Sequence, residues 1–184
     1  MRIIGGKFKG RKLRAVRGTR TRPTSDRTRE AIFNIIAFEV RDTRVLDLFA
    51  GTGALGLEAL SRGAQSAVFI DISRQSLSVL RENLADLSPE SPNRVIQWDL
   101  AKNLSCLRSM PQAFDLVFID PPYNKNLIIP ALDHLHISQS LEKGARIIVE
   151  HSKQEPFEPG SLPFKMADRR RYGKTLVSFL NYVV

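Results

Sequence analysis

Val45-Leu46-Asp47-Leu48-Phe49-Ala50-Gly51-Thr52-Gly53-Ala54-Leu55-Gly56 decides how this 184-residue chain folds. An apolar strand, Val45–Phe49, runs into a glycine-rich turn and then into a helix, Ala54–Arg62, that Gly63 ends. Gly51, Gly53 and Gly56 have the spacing G-x-G-x-x-G. Such glycines let a backbone approach a ligand closely, and the helix start behind them offers free amides and partial positive charge. Asp71 follows Gly51 by 20 residues, at the end of the next apolar run, Ala67–Ile70. A ribose-binding carboxylate belongs there. Asp47 then selects among nucleotides. Its charge, just ahead of the glycines, disfavours a pyrophosphate and so an NAD-type dinucleotide. It favours a ligand with a cationic end, such as the amino-acid part of S-adenosylmethionine.

Downstream the alternation continues. Ser73 caps a helix to about Asp86, and Pro89-Glu90-Ser91-Pro92 reads as a loop. Arg94–Trp98 is a strand, Leu100–Arg108 a short helix, Asp115–Ile119 a strand, Ile128–Leu141 a helix and Ala145–Glu150 a strand. Repeated βαβ units make a parallel, doubly wound, Rossmann-like α/β sheet. Pro156, Pro159 and Pro163 then mark a loop before two strands, 164–171 and 175–183. Their link, Tyr172-Gly173-Lys174, is too short for a crossover, so this terminal hairpin is antiparallel. The count is seven strands.

Upstream of the sheet, Pro23-Thr24-Ser25-Asp26 starts a helix over 24–39. Ala31, Ile32, Ile35 and Ile36 give its apolar stripe, with Arg27, Glu30 and Asn34 elsewhere and the arginines turned outward. Arg2-Ile3-Ile4 and Lys12-Leu13-Arg14-Ala15-Val16 pair as a small basic β-hairpin that must lean on the body, since neither strand has enough apolar content to fold alone. The expected organisation is a basic arm, residues 1–22, and one catalytic domain, residues 23–184.

Net charge is +9, and its placement is informative. Residues 1–29 hold eleven Lys and Arg against one acid, Asp26, so the remainder of the chain is close to neutral. A lopsided basic segment is the footprint of a polyanion. Lys7, Lys9, Arg11, Lys12, Arg14, Arg22 and Arg27 are the expected nucleic-acid contacts. Arg169, Arg170, Arg171 and Lys174 form a second basic cluster at the terminal hairpin, readable as RNA surface or as a solvated turn. No stretch approaches the ~18 apolar residues of a membrane span. No apolar signal core opens the chain, so a cytoplasmic protein without membrane contact is expected. The single cysteine, Cys106, excludes an internal disulfide and a Cys-rich zinc site. His134 and His136 have no carboxylate or thiol at ligand spacing, and no metal is expected.

The chemistry centres on Asp120-Pro121-Pro122-Tyr123, which follows Asp115–Ile119. The prolines stop the strand and stiffen the turn. They leave a carboxylate and an aromatic ring at a strand's carboxyl end, where open α/β sheets bind ligands. An acceptor and a flat ring suit a planar base carrying an exocyclic amine. Asp120 and the carbonyl of Pro121 can accept the amine's two hydrogens, and Tyr123 can stack on the base. Asp99, after the third strand, can accept from an adenine amino group, cap the helix 100–108, or both.

The run Asp47–Gly56, with Asp71, Asp99 and Asp120-Pro121-Pro122-Tyr123, resembles the class I S-adenosylmethionine-dependent methyltransferases that act on amino groups. Met1-Arg2-Ile3-Ile4-Gly5-Gly6 and Arg22-Pro23-Thr24-Ser25-Asp26-Arg27-Thr28-Arg29-Glu30-Ala31-Ile32-Phe33-Asn34-Ile35 narrow this. They closely resemble the bacterial 16S ribosomal RNA guanine-N2 methyltransferases, the D enzyme of the small-subunit set. The resemblance implies methyl transfer from S-adenosylmethionine to the N2 of a 16S rRNA guanine, with the 30S subunit as the setting and a monomer as the default state. It implies a cofactor set of Asp47, Phe49, Ala50, Gly51, Thr52, Gly53, Asp71, Ile72, Asp99, Leu100 and Asp120, and a catalytic set of Asp120, Pro121 and Tyr123. The rivals are an adenine-N6 or cytosine-N4 DNA methyltransferase, an NAD oxidoreductase, and an RNA-binding ribosome-assembly module with a vestigial pocket. The chain lacks a target-recognition or substrate domain for the first two, and the intact carboxylate set opposes the last.

Overall fold

The computed structural model describes residues 1–16, 25–87, 92–108, 110 and 113–184. The apolar runs form β1 (Arg44–Leu48), β2 (Ser66–Asp71), β3 (Arg94–Gln97), β4 (Phe114–Ile119), β5 (Leu141–Ser152), β6 (Phe164–Tyr172) and β7 (Thr175–Tyr182). The helices are α1 (Asp26–Ile35), α2 (Ala54–Ser61), α3 (Arg74–Leu87) and α4 (Ile128–Ser138). All seven strands join one sheet in the order β3-β2-β1-β4-β5-β7-β6. β1 to β5 run parallel, and β7 lies antiparallel between β5 and β6. The seven-stranded, doubly wound α/β architecture with its terminal hairpin is therefore as expected.

From β1 the chain winds outward to β2 and β3, then returns to place β4 on the other side of β1. This reversal opens a crevice above the carboxyl ends of β1 and β4, the usual ligand position in such sheets. Both sheet faces are covered. One core joins β1, β2, β4, β5 and β7 to Ile32 and Phe33 of α1 and Ile36 at its C-cap, Leu55, Leu57 and Leu60 of α2, and Leu77 and Leu80 of α3. The other packs Ile128, Leu132 and Leu135 of α4 with Leu100, Leu104 and Leu107.

Four expectations change. The helix expected over Ile128–Leu141 ends at Ser138, where Gln139 (φ 52°) takes a left-handed C-cap. The helix over Leu100–Arg108 is absent; only a 3-10 turn, Ser105–Leu107, forms. Asp99 Oδ1 instead accepts from Ala101 N, and Asn103 Oδ1 from Ser105 N. Such side-chain bonds compete with the helical ladder. The helix expected over 24–39 spans Asp26–Ile35, with Ser25 Oγ accepting from Thr28 N as its N-cap. Its inward stripe is Arg29, Ile32, Phe33 and Ile36, whereas Ile35 is exposed and Arg29 fully buried, so the arginines do not all face outward. β5 begins at Leu141, earlier than Ala145, because a register shift near Gly144 (φ 83°) lets the strand continue. Residues 89–91 of the expected loop, and Arg17, Arg20, Arg22, Pro23 and Thr24, lie outside the described residues.

The N-terminal arm pairs with itself at one antiparallel bridge, Arg2 with Lys12. It does lean on the body. Ile3 and Leu13 belong to the first core. The carboxylate of Glu58 on α2, 0% exposed, accepts from Ile4 N, Gly5 N and Arg62 Nε, each at 2.8 Å, and pairs with Arg29 Nε at 3.6 Å. Arg29 Nη2 donates onward to the Arg2 carbonyl and to Asp26. Glu58→Ala should therefore destabilise by about 3–5 kcal/mol, the usual loss when one partner of a buried pair is removed. It should also raise amide exchange at Ile4 and Gly5. Denaturant unfolding and hydrogen exchange check this; an unchanged midpoint would remove Glu58 from the frame.

Candidate functional site

The site is assembled from the ends of parallel strands. β1 and β4 are neighbours, and Asp120 N donates to Leu48 O at 3.4 Å, one rung beyond the β1–β4 ladder. The glycine turn and the Asp120 loop thus leave the sheet side by side.

Local rules shape the turn. Phe49 (φ 59°), Gly51 (φ 55°) and Gly53 (φ 86°) all take left-handed conformations. A Cβ at Gly53 would come within 2.3 Å of Leu80, whereas at Gly51 it would meet open space. Gly53 is thus a packing glycine, and Gly51 faces whatever the crevice holds. At Gly56 a Cβ would lie 2.3 Å from the Phe69 ring, so this glycine seats α2 against β2. Asp47 is buried, and its Oδ2 accepts from Gly56 N at 2.9 Å in the first turn of α2. Ala50 N bonds Ile70 O.

Asp71 stitches two elements together, with Oδ2 accepting from Gly51 N at 2.8 Å and Oδ1 from Ser73 N at 2.7 Å. Buried Asn83 on α3 completes the frame. Its Nδ2 donates to the carbonyls of Thr52 and Arg14, and its Oδ1 accepts from Arg14 N. The glycine turn and the basic arm therefore share one side chain.

Beyond β2 and β3 lies a cavity of about 380 Å³ lined by Ile72, Gln97, Trp98, Asp99, Lys102 and Asn103. Ile72 is exposed at its mouth, and Trp98 is braced by donation from its indole nitrogen to Asn103 O. Leu100 is different: its side chain is buried in the second core and it does not line this cavity.

The Asp120 loop is rigidly held. Pro121 is buried and Pro122 exposed. The Tyr123 hydroxyl donates to Glu150 Oε1 at 3.0 Å and lies 3.2 Å from Thr175 Oγ1. Burial and the Glu150 carboxylate push its pKa above the ordinary phenol value, so it stays a protonated donor. Asn124 and Asn126 adopt left-handed backbone, and both amides are taken by the buried Glu155 carboxylate. His151 Nε2 lies 2.9 Å from Ser178 Oγ and its Nδ1 3.0 Å from the Glu155 carbonyl. Burial lowers its pKa and favours the neutral ring.

The turn residues Asp47 to Gly53, Asp71 and Asp120 lie at the carboxyl ends of the neighbouring strands β1, β2 and β4, and Ile72 and Asp99 line the cavity beyond β2 and β3. Lys7, Lys9, Arg11, Lys12 and Arg27 are exposed. Arg14 is tied to Glu82 and Asp86 of α3. Arg22 lies outside the described residues. Trp98, Gln97, Asn83, Glu150 and Glu155 did not emerge from the sequence. Trp98, the sole tryptophan and adjacent to Asp99, was the one available signal. The glutamates act from distant strands and carry no local mark.

A family model described as conserved hypothetical protein 95 matches residues 1–181. Ribosomal RNA small subunit methyltransferase D of Escherichia coli (strain K12) is 40% identical over 150 residues, covering 82% of this chain and 74% of the relative. The protein of the same name from Haemophilus influenzae is 37% identical over 157 residues, covering 85% and 81%. The solved structure of a hypothetical protein from Thermus thermophilus superposes with a TM-score of 0.80 at 29% identity, covering 97% and 98%. A ribosomal protein L11 methylase from Lactobacillus delbrueckii shares the fold, with a TM-score of 0.64 at 20% identity and coverage of 84% and 77%.

Asp47 yields a pH signature. Burial, with a smaller contribution from Asp71, pushes its carboxyl from 3.8 up to about 7 against the opposing Gly56 amide. A folded-state pKa above the unfolded value means the stability it contributes is full below pH ~4 and lost as pH rises through ~7. Asp47→Asn should flatten stability against pH across that window, by on the order of a few kcal/mol. Denaturation midpoints taken from pH 4 to 8 measure it, and an unaltered slope would assign the effect to another group.

Proposed function

The chain belongs to the conserved hypothetical protein 95 family and is a class I methyltransferase like the small-subunit rRNA D enzymes; from that premise we propose that it transfers a methyl group from S-adenosylmethionine to the exocyclic N2 of a guanine in 16S rRNA. One observation carries this reading. The carboxylate-bearing Asp120 loop and the glycine turn emerge from adjacent strands, joined by the Asp120–Leu48 bond, so methyl donor and amine acceptor sites are neighbours.

The residues fit the cofactor. Gly51 opens onto free space, and the cavity beside Trp98 and Asp99 suits a purine. A carboxylate has about four lone-pair sites, so Asp71 can accept ribose hydroxyls while keeping Gly51 and Ser73. Asp47 sits where a cationic amino-acid end would draw it into the charged form. When bound, S-adenosylmethionine supplies an already activated methyl on a cationic sulfur.

The chain's own residues supply alignment. The lone pair of an exocyclic amine is conjugated into its ring, which makes it a weak nucleophile. Asp120 and the Pro121 carbonyl accept the amine's two hydrogens, orient it and favour a more tetrahedral nitrogen. The prolines fix their separation, and Glu155 and Glu150 fix the loop and Tyr123. With its hydroxyl held by Glu150, Tyr123 serves as a stacking surface and not as a base. Orientation of this kind can contribute on the order of 7–11 kcal/mol. The arm, residues 1–22 as a unit, grips phosphates through cations such as the exposed Lys7, Lys9, Arg11 and Lys12 and positions the RNA without reading sequence. The choice of guanine rests on the resemblance carried by Met1–Gly6 and Arg22–Ile35, and that of the small subunit on the names of the relatives. A monomer working in the cytoplasm on the assembling or assembled 30S subunit completes the reading.

The direct test incubates the protein with labelled S-adenosylmethionine and unmethylated 30S subunits, naked 16S rRNA or DNA, and maps the labelled base. Label on an rRNA guanine N2 is expected; label only on DNA or on adenine overturns the reading. Asp120→Ala should lower transfer by on the order of 10²-fold or more, the scale of a lost acid–base or orienting group, with cofactor binding retained. Tyr123→Ala should cost transfer more than cofactor affinity, and equal losses would make its role structural.

The arm is tested by charge removal and not by truncation, because Ile3 and Leu13 are core residues. Lys7→Gln, Lys9→Gln and Lys12→Gln together should weaken rRNA binding and flatten its salt dependence at unchanged thermal stability. Normal binding by that variant would make the arm a solvating segment.

A further inference from the structure

Three lysines far apart in sequence are brought together around Tyr123 by a closed circuit of hydrogen bonds. Lys125 stands between Asn124 and Asn126, whose amides are held by Glu155 Oε2 at 2.5 Å and Oε1 at 2.8 Å. Glu155 follows Lys153 by two residues, and Lys153 N donates to the Lys174 carbonyl at 3.2 Å. Lys174 precedes Thr175, whose Oγ1 lies 3.2 Å from the Tyr123 hydroxyl and closes the circuit. All three lysines are exposed.

The acids nearby are already engaged. Glu155 is buried and uses both oxygens on backbone amides. Tyr123 donates to Glu150. Glu158 pairs with Arg169 and Asp168 with Arg170, leaving the lysines outside those pairs. Arg169 is also bonded inward to Ser178 and the Phe157 carbonyl, so part of the arginine cluster read from the sequence is structural.

Sheet order gives the patch its meaning. The arm is fixed to α2 and α3 through Glu58, Ser61 and Asn83, on the side of β1 to β3. Lys153 and Lys174 follow β5 and precede β7, on the other side of β4. The Asp120 loop lies between two cationic banks. Compact ammonium groups suit phosphates as point charges, without base readout. A base drawn from its stack into a strand-end pocket has backbone leaving in two directions.

We propose that Lys125, Lys153 and Lys174 form a second phosphate-binding bank, which holds the RNA backbone on the side of the methylation site opposite the N-terminal arm. This rests on the RNA methyltransferase reading above. The test uses the full chain and a single-stranded 16S rRNA fragment that the unsubstituted protein methylates, with affinity measured across salt concentration. Each single-strand phosphate contact contributes about 0.7 to the log–log salt slope, so the triple variant K125Q/K153Q/K174Q should lose about 2 from that slope. Its S-adenosylmethionine affinity and thermal midpoint should not change, and K125R/K153R/K174R should restore the slope. A Gln triple variant with unaltered slope and affinity overturns the second bank, even where the arm variant loses RNA. An unsubstituted protein that neither binds nor methylates rRNA, whether free or in the 30S subunit, overturns the functional reading itself.

Discussion

The reversal of strand order between β1 and β4 is the constraint from which the site follows. Two parallel strands that lie side by side but connect in opposite directions cannot both have their helices above the same crevice. α2 covers one face after β1, and α4 covers the other after β4. The strand ends between them are left open, and the chain places its glycine turn on one and its proline-stiffened carboxylate on the other. The Asp120–Leu48 bond extends the ladder past the last paired residues. It fixes the spacing of the two halves by backbone geometry, so side-chain mobility does not set it.

Carboxylates do much of the remaining structural work, and in each case they answer free backbone amides. Asp47 takes one in the first turn of α2, Asp71 takes two around the glycine turn, Glu155 takes two in the Asp120 loop, and Glu58 takes two in the arm. Loops that approach a ligand cannot satisfy their amides with regular structure, and buried amides left unpaired are costly. An acidic side chain from a neighbouring element meets that need and stiffens the loop as well. Asp47 and Asp71, which resemble ligand groups by position, are therefore first of all scaffolding. Asp120, by contrast, is only half-buried, just past the carboxyl end of β4.

The parts of the sequence that could be read were those whose signal is local. Val45–Gly56 and Asp115–Tyr123 declare strand and turn within a dozen residues, and proline and glycine punctuation locates the terminal hairpin. Where reading failed, a distant or competing partner decided. Leu100, Leu104 and Leu107 have helical spacing, yet Asp99 and Asn103 capture the local amides first. Arg29 occupies the leading position of a regular stripe with Ile32, Phe33 and Ile36, but no sequence rule puts arginine in a core. Its burial depends on Glu58 and the Arg2 carbonyl. Glu150 and Glu155 gain their roles only when β5 is laid beside β4.

Counting charge therefore overstates the arm. Of the basic residues in the first 29, Arg29 is internal, and Arg14 is paired with Glu82 and Asp86. The outward charge of the described arm falls mainly to Lys7, Lys9, Arg11 and Lys12, one side of the site only. A methyl acceptor held by its backbone on one side could swing about that anchor. The orienting contacts at Asp120 and Pro121 would then have to supply the immobilisation as well as the chemistry. Cations on the far side of β4, set by the same hydrogen bonds that hold Tyr123, divide that labour. On the proposed reading, phosphate contacts would fix the strand, and the carboxylate and carbonyl would have only to turn one amine toward the methyl group.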